Sequence, residues 1–399
     1  MNTTDSKPSK PAIPRTILIL GVVSFFTDMS TEMIYPLLPV FLSTVLGAGP
    51  LVLGIIEGVA ESTASFLKLV SGIWTDRTSR RKPLILAGYS LAGTARPLIG
   101  LALSWPMVLA LRFIDRVGKG LRTSPRDALI ADAVSSDCRG QAYGYHRAMD
   151  HAGAVVGPLT AAGILAVTSA SMRFVFLLAA VPAAIVIILL IVGIKEKEQP
   201  LRCTSESFSL KSHWKDLPKS FKSFLAAILI FTAGNSTDAF MLLALSKAGW
   251  STAMVAVLWS LHHVVKMAST YLGGRFSDAW GRKRLILSGW ILYCVVYGLF
   301  ALVKSPMGLV FVFLCYGIYF GLTEPCEKAW VADLVPAHLR GTAFGSYHLV
   351  VGIGALPASL IFGLIWKTFG APAAFFMGAA LAAMACLLLW TVPENRIRS

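Results

Sequence analysis

Charged and histidine side chains set inside long apolar runs are the residues of this sequence best placed to do chemistry. Asp28 and Glu32 stand four apart, a spacing that puts both on one face of a helix. Glu57 and Glu61 repeat that spacing, and Lys68 follows on the same stripe. Arg112, Asp115, Arg116 and Lys119 form a third cluster, and His146, Arg147, Asp150 and His151 a fourth. Farther on come Asn235 and Asp238, then His262, His263 and Lys266, then Glu324 and Glu327. A charge at the centre of a bilayer costs on the order of a few kcal/mol unless it is paired or hydrated. Such residues therefore point to a polar pathway. A carboxylate there can take up and release protons, and an arginine can grip a carboxylate or phosphate with two parallel hydrogen bonds.

Each cluster carries its own expectation. Asp28 and Glu32 are expected to handle substrate or protons, the competing reading being a static ion pair with Arg112 or Arg116. Glu57, Glu61, Arg112, Asp115, Arg116, Arg147, Asp150, Asp238, His262, Lys266 and Glu324 are candidates for the same work, Arg112 or Arg116 as the group that would grip a carboxylate or phosphate of the substrate. Arg147 and Asp150, three apart, are expected to pair with each other or with the first helix, and Glu324 with Lys328 or with substrate. His262 and His263, as neighbours, point about 100° apart on a helix, so they do not share one small site and no metal is expected.

The elements that must hold these side chains follow from composition. The chain has 399 residues, of which 55% are hydrophobic and only 14% charged, with a mean hydropathy of +0.67. Soluble domains carry roughly a quarter charged residues. The apolar residues fall in blocks long enough to span hydrocarbon, about 20 residues each. Spanning helices are expected over 16–43, 51–75, 83–104, 106–126, 140–168 and 172–194, then over 223–247, 252–274, 284–303, 306–328, 341–367 and 371–392. This is an all-α membrane architecture of twelve helices in two six-helix bundles, 1–194 and 223–399, joined by a polar linker over 195–222. The polar, lysine-containing start lacks a cleavage site before its long apolar run, which reads as the first membrane helix.

The net charge of +15 does not signal nucleic acid, because the bases sit in short clusters between apolar blocks. They gather at the N-terminus, 76–82, 195–222, 275–284 and the C-terminus, while the opposite loops offer only Arg173, Lys247, Lys304 and Lys367. The positive-inside rule then places both termini and the linker in the cytoplasm, with the chain in an inner membrane. Six cysteines are scattered singly, without a zinc or disulfide pattern.

The halves repeat. Gly72 and Asp76 with Arg80–Arg81–Lys82 return as Gly274 and Asp278 with Arg282–Lys283–Arg284. Ala131–Asp132 and Arg139–Gly140 return as Ala332–Asp333 and Arg340–Gly341, and Ser30–Thr31–Glu32 as Ser236–Thr237–Asp238. Internal repeats around a central pathway mark secondary transporters. The loop pattern Gly72, Asp76, Arg77, Arg80, Arg81 resembles the signature of the major facilitator superfamily, and the likeness runs over essentially the whole chain. In the second copy Ala279 replaces the arginine after the acid.

That resemblance implies that helices 1, 4, 7 and 10 line a central cavity, with 2, 5, 8 and 11 beside them and 3, 6, 9 and 12 toward lipid. It assigns Gly72, Asp76, Arg77, Arg80, Arg81, Asp278 and Arg282 to conformational gating, and likens Arg112 to a helix 4 arginine near the proton site. Gly153, Gly157 and Pro158 resemble the glycine-proline motif of family exporters, with Ala161–Ala162 in place of its later glycines. The expected activity is proton-coupled export of a charged or amphiphilic small molecule by a monomer, without cofactor. The alternatives are a carrier of an organic acid or siderophore-type metabolite in either direction, and a receptor or sensor without transport. No zinc-protease, nucleophile-elbow or phosphate-loop motif is present, and Gly118–Lys119–Gly120 lacks the spacing of the last, so an enzyme is not expected.

Overall fold

A computed structural model of the chain describes residues 13–48, 50–78, 80–168, 171–194, 214, 216–236, 238–250 and 252–394. Most of the expected linker and the side chain of Glu57 lie outside the described residues. The structure is helical, with no strand among the described residues. The first half comprises α1 (Arg15–Glu32), α2 (Pro50–Asp76), α3 (Lys82–Leu98), α4 (Trp105–Asp132), α5 (Arg139–Thr168) and α6 (Met172–Gly193). The second comprises α7 (Lys219–Gly234, resuming as Ala239–Lys247), α8 (Thr252–Trp280), α9 (Arg282–Leu302), α10 (Pro306–Leu334), α11 (Arg340–Phe369) and α12 (Ala371–Thr391).

Two expected helices are interrupted. α1 stops at Glu32, and the chain continues to Val45 in short helical pieces, a 3₁₀ turn over Tyr35–Leu37, an α turn over Leu38–Val40 and a π turn over Phe41–Val45. Pro36 and Pro39 lie there, and each lacks the N–H that a continuous helix needs. α7 breaks between Gly234 and Ala239, where glycine and asparagine weaken the ladder. Inside a membrane the freed polar groups need partners. Tyr293 supplies one, its hydroxyl donating to the Gly234 carbonyl at 3.0 Å, and the Tyr297 hydroxyl lies 3.3 Å from Ser236 Oγ.

Other helices run longer than expected, and at the same end of the bundle. α4 reaches Asp132, α8 Trp280 and α10 Leu334, each beyond its apolar block. Charge marks where hydrocarbon ends, not where hydrogen bonding ends. The added turns carry Asp132, Asp278 and Asp333, all of which find arginine partners.

Large apolar side chains remain exposed on the outside, among them Val192 of α6, Phe311 of α10 and Trp390 of α12, as a lipid-facing surface requires. Of the five cysteines described only Cys326 is buried, while Cys294 and Cys386 pack half-buried against the core. The two halves meet along two equivalent seams, α2 against α11 and α5 against α8. Glycine makes the closeness possible: a methyl group on Gly72 would strike the Gly341 carbonyl, and one on Gly274 the Gly140 carbonyl.

Candidate functional site

The basic turns after α2 and α8 build matching junctions between the halves. Asp76 accepts hydrogen bonds from the backbone N–H groups of Gly341 and Thr342, at 2.7 and 2.6 Å, at the start of α11. Asp278 accepts from those of Gly140 and Gln141, at 2.9 and 2.8 Å, at the start of α5. A carboxylate at a helix N-terminus meets unpaired N–H groups and the positive end of the helix dipole. Beside each, an aspartate holds one arginine from either half: Asp132 pairs with Arg81 and Arg340, and Asp333 with Arg282 and Arg139.

This geometry changes the sequence reading in two ways. Of the bases assigned to gating, Arg81 and Arg282 are buried in ion pairs, whereas among the 77–81 bases Arg80 is the exposed one. The repeat register also moves by one residue. Arg81 matches Arg282, and Lys82 matches Lys283, because both lysines donate to carbonyls at a helix C-terminus: Lys82 to Ile191 and Ile194, Lys283 to Trp390 and Val392. Asp132, Arg139, Asp333 and Arg340 were visible in the sequence only as echoes, and the structure gives those echoes their partners.

A second layer of charge crosses between the halves farther in. Arg147 of α5 pairs with Asp150 at 2.6 Å and with Glu324 of α10, while Ser24 of α1 donates to Asp150. The Arg147–Asp150 and α1 contacts match the expectation, and the bond to Glu324 adds to it. Glu324 does not pair with Lys328, and it lies well inside α10, which continues to Leu334. Lys328 instead meets Asp127 at 3.0 Å, and His348 meets the same carboxylate at 2.9 Å. Glu327 accepts from Tyr347 Oη at 2.7 Å and Trp290 Nε1 at 3.2 Å.

A polar cavity of ≈ 270 Å³ lies within the first half. α1 contributes Asp28, Thr31 and Glu32, followed by Tyr35 from the turn beyond it; α2 contributes Glu61. α4 lines the cavity with Asp115, Arg116, Lys119 and Arg122, a stripe at helical spacing, and α3 adds Arg96. Arg116 bonds Glu61 at 2.8 Å, and Lys119 reaches the same carboxylate at 3.9 Å. Asp115 is held by Arg96 at 2.6 Å and Arg112 at 3.3 Å.

The arrangement resolves which arginine faces the cavity: Arg116 does, while Arg112 stands behind, 5.8 Å from the Tyr35 ring. Asp28 and Glu32 have no hydrogen-bond or ion-pair partner among the described residues, so the static pair with Arg112 or Arg116 does not form. Arg122 packs 4.1 Å from the centroid of the Tyr89 ring and makes no ion pair among the described residues.

Sequence reasoning missed Arg96 and Arg122. The signal for Arg122 was present, since it extends the Arg112–Asp115–Arg116–Lys119 stripe by one turn. Arg96 sits on a helix otherwise assigned to lipid, and only its burial against Asp115 reveals it.

The remaining candidates lie in the second half, apart from this cavity. Lys266 meets Asp238 at 3.2 Å, and the Tyr316 hydroxyl donates to the other Asp238 oxygen at 3.0 Å. His262 is buried between aromatic rings, 4.5 Å from Phe313 and nearly parallel to Tyr316 at 5.5 Å, in a packing position.

Two six-helix halves joined by matched ion-pair junctions, the first of them holding an ionised cavity, are the architecture of a membrane transporter. The chain belongs to the Major Facilitator Superfamily, whose profile matches residues 20–265 and 223–399. It is 32% identical over 383 residues to an uncharacterized MFS-type transporter of Methanocaldococcus jannaschii, covering 94% of each chain. It is 24% identical over 375 residues to a multi-drug resistance efflux pump of Streptococcus pneumoniae, covering 91% of this chain and 92% of that one. Among solved structures, the fucose:proton symporter of E. coli superposes with a TM-score of 0.79 at 14% identity, over 95% of this chain and 98% of that one, a likeness of fold alone.

Proposed function

We propose that this transporter is a proton-coupled exporter of a charged or amphiphilic small molecule. It works as a monomer in an inner membrane, with both termini and the 195–222 linker in the cytoplasm. The two bundles, 1–194 and 223–399, rock against each other along the α2–α11 and α5–α8 seams. The observation that carries this reading is the first-half cavity, where Asp28 and Glu32 stand unpartnered opposite Arg116, Lys119 and Arg122. Unpaired carboxylates in a low-dielectric site are suited to exchange protons against cargo. Asp76 and Asp278, with their arginines, then act as the latches that hold one end of the molecule closed.

Export draws support from the efflux pump among the relatives, and from the glycine motif of α5. Gly157 brings α5 against the Glu32 stretch of α1, where an added methyl would lie 2.9 Å from Glu32 Cβ. The test uses inside-out vesicles with an acidified lumen and a panel of cationic, zwitterionic and anionic compounds. An exporter collapses the gradient on addition of its cargo and accumulates that cargo. Accumulation that persists after an ionophore removes the gradient would defeat proton coupling. A second reading, carriage of an organic acid, rests on Arg122, whose guanidinium has no carboxylate partner among the described residues. A gradient collapse caused by carboxylates alone would select it.

A further inference from the structure

Asp238 occupies in the second half the place that Glu32 holds in the first, by the Ser–Thr–acid repeat. Both acids stand where a helix is interrupted, and the side chains around them differ. Asp238 stands at the interruption of α7, and broken membrane helices are where transporters commonly hold ligands. A cation already sits on it: Lys266 Nζ is 3.2 Å from Asp238 Oδ2. That same ammonium lies 3.6 Å from the centroid of the Phe320 ring and 5.3 Å from that of Trp259. The Tyr316 hydroxyl fixes the second oxygen of Asp238 at 3.0 Å, so the carboxylate is aimed at the cation.

One carboxylate with aromatic faces around an ammonium is the arrangement that recognises alkylated amines, because ring quadrupole and charge both attract a poorly hydrated cation. Lysine reaches this position on a flexible four-carbon stem and can leave it without unfolding a helix. The Lys266 side chain is 5% exposed while that of Asp238 is 21% exposed, so the carboxylate stays reachable although its partner is covered.

We propose that Asp238, Phe320, Trp259 and Tyr316 form a binding site for organic cations, and that Lys266 is its tethered occupant, displaced when an alkylammonium group of the cargo enters. The inference rests on the transport reading only for the word cargo. Binding itself is measured at equilibrium, without a gradient.

The experiment titrates choline, and its neutral isostere 3,3-dimethylbutan-1-ol, into the purified full chain in detergent. Lys266→Met is expected to raise choline affinity roughly tenfold and to leave affinity for the alcohol almost unchanged. Adding Asp238→Asn or Phe320→Leu to that variant should cancel the gain. Lys266→Gln is run beside it as a second neutral form, in case the methionine variant lacks a cooperative melting transition. If the folded neutral forms bind choline no more tightly than the parent, or gain equally for the alcohol, Lys266 is a structural ion pair and the proposal falls. Asp28→Asn serves to separate the two readings: it should leave the choline gain intact even where proton-driven flux is lost.

Discussion

The two halves descend from one repeat, yet they use it differently. At the basic end they match closely: Asp76 with Arg81 and Asp132 answers Asp278 with Arg282 and Asp333, each clasping the opposite half. In the interior they part. The first half is built around charge, with four acids and four bases lining one cavity and two of those acids unpartnered. The second half is built around rings, among them Trp290, Tyr293, Tyr297, Phe313, Tyr316 and Tyr319, and there the acid equivalent to Glu32 is already neutralised by Lys266. The contrast teaches that closing a transporter is a symmetric task, since either seam must open and shut. In the proposed function the handling of cargo and protons is divided between them, because a charged cavity and an aromatic one solvate different ligands.

The strongest way to break this comparison is Asp28→Asn. Proton-driven flux should fall on the order of a hundredfold while the melting transition stays in place. Flux near the parental value would move the proton site out of the first half and dissolve the division. A smaller effect is expected at the symmetric end. Asp76→Ala and Asp278→Ala each remove two charge-assisted hydrogen bonds to a helix N-terminus, so each should slow turnover about tenfold with ligand affinity nearly unchanged. If only one variant slows, or if affinity collapses, the junctions are not equivalent latches. The gentlest probe sharpens the first-half cavity. Arg122→Gln should weaken carboxylate-bearing ligands by about threefold to tenfold and leave purely cationic ones alone, as read by thermal shift. Equal losses for both classes would show that Arg122 supports the wall and does not contact cargo.

Much of this was legible before any tertiary structure. Twelve apolar blocks, the repeat, and the concentration of interior charge on α1, α2, α4, α5, α7, α8 and α10 are properties of short windows, and they came through in the fold. The interruption of α7 was less legible. A lone glycine and asparagine in an apolar run predict weakness, and the break depends on Tyr293 arriving from α9 to take the Gly234 carbonyl. The ends of α4, α8 and α10 were placed too early for a related reason: a charged turn persists as helix when a partner neutralises it, and that partner lies in another segment.

By itself, then, the sequence determined the run of apolar helices, most of the helices that carry charge inward, and that the two halves echo each other. Those follow from hydrocarbon thickness and helical periodicity, which act locally. Tertiary structure alone decided which charges meet. Arg340 reaches Asp132, Arg147 reaches Glu324, and Lys328 reaches Asp127 across the two bundles, while Asp28 and Glu32 are left without a partner among the described residues. An ion pair is settled by distance in space and by the dielectric around it, and neither is written in the order of the residues.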